Sequence, residues 1–251
     1  MKKSEFLKRV DPVFLNGICH RGYHDADRTE NGLNAFQNAI DHGMAIELDV
    51  HLTKDKKLVV CHDSQLKRVT GKEGMIEDLT LEEIQKNYSL NDGESIPSFE
   101  EVLDLIRERV PLVVELKVYK GNGKEVAQKV KEVLMPLVQD KSKYMFISFY
   151  PQALFPLKDT GIVRSLLIDH QHGYVLLLRN CFESLDLEKE MLTWKRVRRY
   201  QKDHFVNVWT IKSEEELKKA VPLSDTITFQ DFDCEVVTQS LKEKIREVNQ
   251  S

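Results

Sequence analysis

Glu47 and Asp49 stand two residues apart in Ala45-Ile46-Glu47-Leu48-Asp49-Val50-His51, and His62 follows after a polar turn and the apolar run Leu58-Val59-Val60. Read with the two-residue period of a strand, Ile46, Leu48 and Val50 face one way while Glu47, Asp49 and His51 face the other. A solvent-facing strand also alternates in this way. Two carboxylates at i and i+2 with no Lys or Arg between them repel, however, and a bound cation offsets that repulsion. Two acids with an imidazole nearby make a candidate site for metal-assisted acid/base chemistry.

Two further stretches repeat the habit. An apolar run, Val13–Cys19, reads as a strand that delivers His20 and Arg21 into a turn at Gly22. In Pro111–Lys117, Glu115 and Lys117 alternate with Val114 and Leu116, either as an exposed ion pair or as charge placed at the end of a strand. Cys19-His20 and Cys61-His62 offer zinc-ligand types, but strand alternation aims each Cys away from its His. His51 continues the Glu47/Asp49 face, as a plain strand residue or as a support for those acids. His24, His42, His170, His172 and His204 read as loop or surface residues, and Lys195–Arg199 as a solvated helix face.

The elements that must position these groups alternate along the chain. A helix closed by Gly43 separates the first two strands, which makes a βαβ unit with parallel strands. Capping boxes at Thr80 and Ser98 open two more helices. Strands follow near 111–117, 144–149, 162–168, 181–187, 205–211 and 226–229, with helical segments between them, a short one near 173–178. The rhythm and the length of 251 residues predict an α/β fold, a TIM (β/α)₈ barrel, as a single domain over 1–251 with a short insertion after strand two. An open doubly wound sheet would carry a Gly-rich phosphate turn after an early strand, and none is present. In a barrel the site lies at the strand C-termini, where His20, Glu47, Asp49, His62, Glu115 and Lys117 would converge.

Composition narrows the function. With 41% hydrophobic and 31% charged residues and a net charge of −4, the chain has material for a core but no basic bias toward nucleic acid. Its apolar runs fall far short of the roughly 20 residues needed to cross a bilayer. The basic N-terminus lacks a long apolar stretch, and the four cysteines are scattered, so a cytoplasmic protein with reduced thiols is expected.

The chain resembles the glycerophosphodiester phosphodiesterase family. The matching pieces are His20-Arg21-Gly22, Glu30-Asn31, Glu47-Leu48-Asp49-Val50, His62-Asp63, Arg68-Val69-Thr70-Gly71, Ile96-Pro97-Ser98, Glu115-Leu116-Lys117 and, late in the chain, Val208-Trp209-Thr210. Two departures stand out: Thr29-Glu30-Asn31-Gly32 replaces the family's Pro-Glu-Asn-Thr turn, and Thr228-Phe229-Gln230 stands where a Thr-Asp ending is usual.

The resemblance implies a TIM barrel that binds one divalent cation through Glu47, Asp49 and Glu115. It also implies His20 and His62 as the acid/base pair, with Arg21 and Lys117 on the phosphate oxygens. By its place on a late strand, Trp209 is either a core residue or part of the pocket floor. All-oxygen ligation favours Ca²⁺ or Mg²⁺. The expected reaction is hydrolysis of a small-molecule glycerophosphodiester to glycerol 3-phosphate and an alcohol, without stable membrane insertion. A lysophospholipase D-like enzyme and a non-catalytic phosphodiester-binding barrel are the alternatives. The first would want apolar loops at the mouth, where Tyr23–Asp27 is polar, and the second a missing site residue.

Overall fold

Side-chain alternation sorts every strand into an inner and an outer face, and the two faces build two different cores. The structure is a computed structural model that describes residues 1–250, with side chains through Arg246. Its strands are β1 (Ile18–Cys19), β2 (Ala45–Leu52), β3 (Leu58–Val60), β4 (Leu112–Leu116), β5 (Tyr144–Ser148), β6 (Val163–Ile168), β7 (Ser184–Glu188), β8 (Val206–Ile211) and β9 (Thr226–Phe229). They run in the order β1-β9-β8-β7-β6-β5-β4-β2, and β1 also pairs with β2, so the parallel sheet closes on itself. β3 lies antiparallel against the outer end of β2. The barrel read from the sequence is the barrel observed.

Ile46, Leu48, Val50, Leu112, Val114 and Leu116 face outward into the large cluster shared with the surrounding helices. Ala45, Val113, Met145, Val163 and Phe205 face inward, where they meet Phe6, Val10 and Phe14 from the N-terminal segment. Phe6 stacks on Phe205 with ring centroids 4.2 Å apart. This segment plugs the N-terminal end of the barrel, which forces the open space to the other end.

The plug corrects one expectation. Val13–Asn16 is not strand: Asp11 accepts a hydrogen bond from Val13 N and Pro12 fixes the first turn of a 3₁₀ helix, Pro12–Asn16, leaving only Ile18–Cys19 in the sheet. Likewise Gly173–Cys181 is a 3₁₀ segment, and β7 begins at Ser184 rather than Cys181.

Between β2 and the helix Phe99–Ile106 the chain makes an excursion with its own small core of Val59, Cys61, Leu66, Val69, Ile76, Ile84, Leu90 and Ile96. Its helix Leu81–Asn87 starts at a Thr80 capping box, and Phe99–Ile106 at one from Ser98. The excursion is tied to the barrel where Cys61 N donates to Asp49 O at 3.1 Å, which sets His62 at the mouth.

Candidate active site

Register carries the acids to one place. Asp49 pairs with Glu115 across β2 and β4, and the inward parity of both strands adds Glu47. One oxygen from each of Glu47, Asp49 and Glu115 lies within 4.8 Å of the others, and all three residues are buried. The turn after β1 closes over them. Gly22 sits at φ +83° with no room for a Cβ, which would lie 3.0 Å from the Ala35 backbone. That turn directs Arg21 N to Glu47 Oε2 at 3.0 Å.

The charges around the acids are unequal. Lys117 Nζ lies 2.6 Å from Glu115 Oε1 and 2.9 Å from Asp49 Oδ1, the second outside hydrogen-bonding geometry. Asn31 donates Nδ2–H to Asp49 Oδ2 at 2.9 Å, and Arg21 Nε approaches the same oxygen at 3.4 Å. Burial would push Asp49 up, but Lys117, His62, Arg21 and the Asn31 amide outweigh it and hold Asp49 ionised. Glu47 is pushed well up by burial, then by the charges of Asp49 and Glu115. Glu115 rises to about 7, chiefly through burial, with Lys117 pulling against it. Two cationic side chains are thus too few to keep all three acids charged. Glu47 Oε1 and Asp49 Oδ1 also have no hydrogen-bond partner among the described residues. Free hard-oxygen donors and a deficit of positive charge fit a divalent cation.

The two imidazoles flank this triad with different supports. His20 Nδ1 lies 2.6 Å from Gln230 Oε1, an orientation fixed because Gln230 Nε2 donates to Asp231 Oδ2 at 2.8 Å. Burial, then Arg21, lowers His20 to about 3. His62 Nδ1 lies 2.6 Å from Asp63 Oδ1, a carboxylate instead of an amide. Burial also lowers His62, while Asp49 opposes the shift. In each neutral ring the Nδ1–H points at an acceptor, which leaves the Nε2 lone pair for a reacting oxygen.

A chain of ion pairs links the second imidazole to the acids. Asp63 Oδ2 receives Arg68 Nε at 2.6 Å, and the fork of Arg68 grips Glu30 at 2.7 and 2.8 Å. Glu30 in turn accepts from Arg21 Nη1 at 2.8 Å. Burial opposes it, but Arg68 and Arg21 bring Glu30 down to about 2. His51 bonds Glu77 at 3.0 Å through Nδ1 and approaches the His62 carbonyl at 3.0 Å through Nε2. Cys19 and Cys61 are buried in separate cores, away from any cluster with the imidazoles.

His20, Glu47, His62 and Glu115 form one wall of a cavity of about 100 Å³; Ile147, Phe149, Leu167, Asp186, Asn207, Trp209 and Thr228 complete it. Trp209 packs edge-on against Phe149 at 5.5 Å. A larger cleft, about 810 Å³, lies elsewhere, between the N-terminal segment and the Lys195–Gln201 helix, and includes Lys195, Arg198 and Arg199 but none of the residues above. Converging acids, imidazoles and cations identify the smaller cavity as the chemical one. The sequence reading named Gln230 only as a departure from the family pattern, and it missed Asp186 and Asn207. The period-two run Ser184-Leu185-Asp186-Leu187 was the available signal for Asp186.

Acids, imidazoles and cations at the C-terminal mouth of a parallel barrel stand where this fold carries its active sites, and cationic groups there suit an anionic substrate. Residues 20–159 match the Glycerophosphoryl diester phosphodiesterase family, more than half of the chain, and the protein belongs to that family. By class it is a phosphoric diester hydrolase. A glycerophosphodiester phosphodiesterase of Bacillus altitudinis is 29% identical over 233 residues, 86% of this chain and 94% of its own. The glycerophosphodiester phosphodiesterase of Thermotoga maritima superposes with a TM-score of 0.71 at 28% identity, covering 90% of this chain and 96% of that one. A phosphodiesterase of Oleispira antarctica, solved with the product sn-glycerol-3-phosphate, shares the fold with a TM-score of 0.77 at 24% identity over 90% of this chain and 96% of its own. Among the described residues no helix is long and apolar enough to cross a membrane.

Proposed function

We propose that the protein cleaves glycerophosphodiesters to glycerol 3-phosphate and the head-group alcohol, with His20 and His62 as base and acid. Glu47, Asp49 and Glu115 would hold one Ca²⁺ or Mg²⁺, which supplies positive charge to the phosphate oxygens and the attacking hydroxyl. The observation that carries the reading is the buried carboxylate triad with two uncommitted oxygens, flanked by imidazoles whose Nε2 atoms are free to react. Its free thiols, Cys19, Cys61, Cys181 and Cys234, support a cytoplasmic site of action.

The glycerol 2-hydroxyl is the nucleophile in this reading. An attached hydroxyl carries a high effective concentration and needs no ordered water. His20, backed by a neutral amide, removes its proton as the oxygen closes on phosphorus. His62 acts in its protonated form, which the Asp63 carboxylate stabilises, and gives its Nε2 proton to the departing alkoxide. Water then opens the cyclic phosphate with the two roles exchanged. Lys117 and the part of the Arg21 guanidinium not committed to Glu30 meet the phosphate oxygens. Trp209 packs against the substrate at the floor of the cavity. An analogue lacking the 2-hydroxyl tests the route: it should bind without being cleaved. Cleavage at the normal rate would replace the internal nucleophile with water.

A further inference from the structure

The wall opposite the triad holds polar atoms that nothing among the described residues satisfies. Both carboxylate oxygens of Asp186, Asn207 Oδ1 and Trp209 Nε1 are buried without a hydrogen-bond partner among the described residues. Asp186 is 1% exposed and lines the cavity together with Asn207 and Trp209. Asn207 and Ser165 lie near enough to favour its charged form, yet neither is in hydrogen-bonding geometry with it. Deeper in the barrel Ser165 Oγ and Ser184 Oγ are also unpartnered. Each buried, unpaired polar group destabilises a fold, so a cluster of them facing one cavity marks a place reserved for a ligand.

The chemistry of the wall selects the ligand. Carboxylate and amide oxygens accept, and the indole N–H donates. A group that meets both kinds at once must donate and accept, as a hydroxyl does by donating to one of the oxygens and accepting from the indole. Geometry selects the arm. In the reaction proposed above the glycerol 2-hydroxyl meets His20 and His62, which share this cavity with Asp186, Asn207 and Trp209, so the arm that carries that hydroxyl is the one within their reach. One carbon beyond that hydroxyl lies the terminal hydroxyl.

We infer that Asp186, with Asn207 and the Trp209 indole, forms a subsite for the free terminal hydroxyl of glycerol, which makes the enzyme selective for fully deacylated diesters over lysolipids. This rests on the reaction proposed above. An acyl chain on that hydroxyl would remove its proton and bring apolar bulk against a buried carboxyl group.

Three substrates with one head group test it: the deacylated diester, an analogue with hydrogen in place of the terminal hydroxyl but the 2-hydroxyl kept, and the lysolipid acylated there. Wild-type kcat/KM should fall by roughly a hundredfold or more for the second and third, since sites built to bond a hydroxyl reject analogues lacking it. Asp186→Ala should bring the first two within about tenfold by losing rate on the diester alone, and Asp186→Asn, still an acceptor, should restore much of the gap. Titration with glycerol 3-phosphate and its deoxy analogue should repeat the pattern without turnover. Equal wild-type rates on the first two substrates or a uniform loss in Asp186→Ala would each overturn the inference. A wild-type protein that cleaves none of the three would instead fail the underlying reaction, and the subsite with it.

Discussion

The two walls of the cavity solve the problem of buried polarity in opposite ways. On β1, β2 and β4 charge is set against charge: Arg21 and Lys117 meet Asp49, Glu30 holds Arg21, and Arg68 ties Glu30 to Asp63, while Glu47 is the acid left short of positive charge. On β7 and β8, Asp186 and Asn207 Oδ1 face the cavity without partners. A wall that handles a charged phosphate can be pre-wired with ions, because their field acts at a distance. A wall that reads a neutral hydroxyl must leave its donors and acceptors open until that hydroxyl arrives.

The largest effects should come from the ion-wired wall. Glu47→Gln or Asp49→Asn should abolish metal-stimulated turnover, as should a chelator, with Mg²⁺ or Ca²⁺ restoring the wild type. Metal content by elemental analysis and rate should fall together. Full activity in verified metal-free protein would break the assignment of this wall.

Next come the imidazoles. His20→Ala and His62→Ala should each lower kcat by about 10²–10⁴, the usual range for general acid–base groups. Gln230→Leu, which deprives His20 of its amide partner, should cost roughly 10–100-fold and shift one limb of the pH–rate profile, a readout that mere loosening of the fold would leave in place. Wild-type turnover in either alanine variant would remove that residue from the mechanism.

The pH dependence of stability separates the walls more finely. Burial raises Asp186 from 3.8 to about 7, with the charge of Glu115 as a smaller contribution. The folded state therefore holds this proton longer than the unfolded chain, so stability falls as pH rises from about 4 to about 7 and is flat beyond, by an amount on the order of a few kcal/mol. Asp186→Asn should remove this slope and raise the thermal midpoint near pH 8. Glu115, raised from 4.5 to about 7, adds a slope of the same sign, which bound Mg²⁺ should erase. Melting curves from pH 5 to 8, with and without Mg²⁺, for wild type and Asp186→Asn resolve both. A slope unaltered by the substitution would mean that Asp186 is ionised throughout.

The smallest expected effect lies outside both walls. Thr80→Ala removes the side chain that caps Leu81–Asn87 and should cost about 1 kcal/mol in denaturant unfolding, with kcat/KM unchanged. A large loss of activity would mean that the excursion after β2 does more than seat His62.

Much of the ion-wired wall was legible in the chain. A period of two fixes parity, so Glu47 with Asp49, and Glu115 with Lys117, had to share a face whatever the sheet did. The alternation of strands and helices, with the chain length, was enough to call for a closed parallel barrel. Parity names a face but not its partner. Gln230 reaches His20 across 210 residues only because β9 pairs with β1 as the barrel closes. Val13–Asn16 has the composition of a strand but plugs the barrel bottom, where burying Phe14 outweighs pairing at an edge. Asp186 looked like an acid in a weak, polar strand. Tertiary structure decided that it points inward, and because no cation follows it there, its proton and its hydrogen bonds remain open to a ligand.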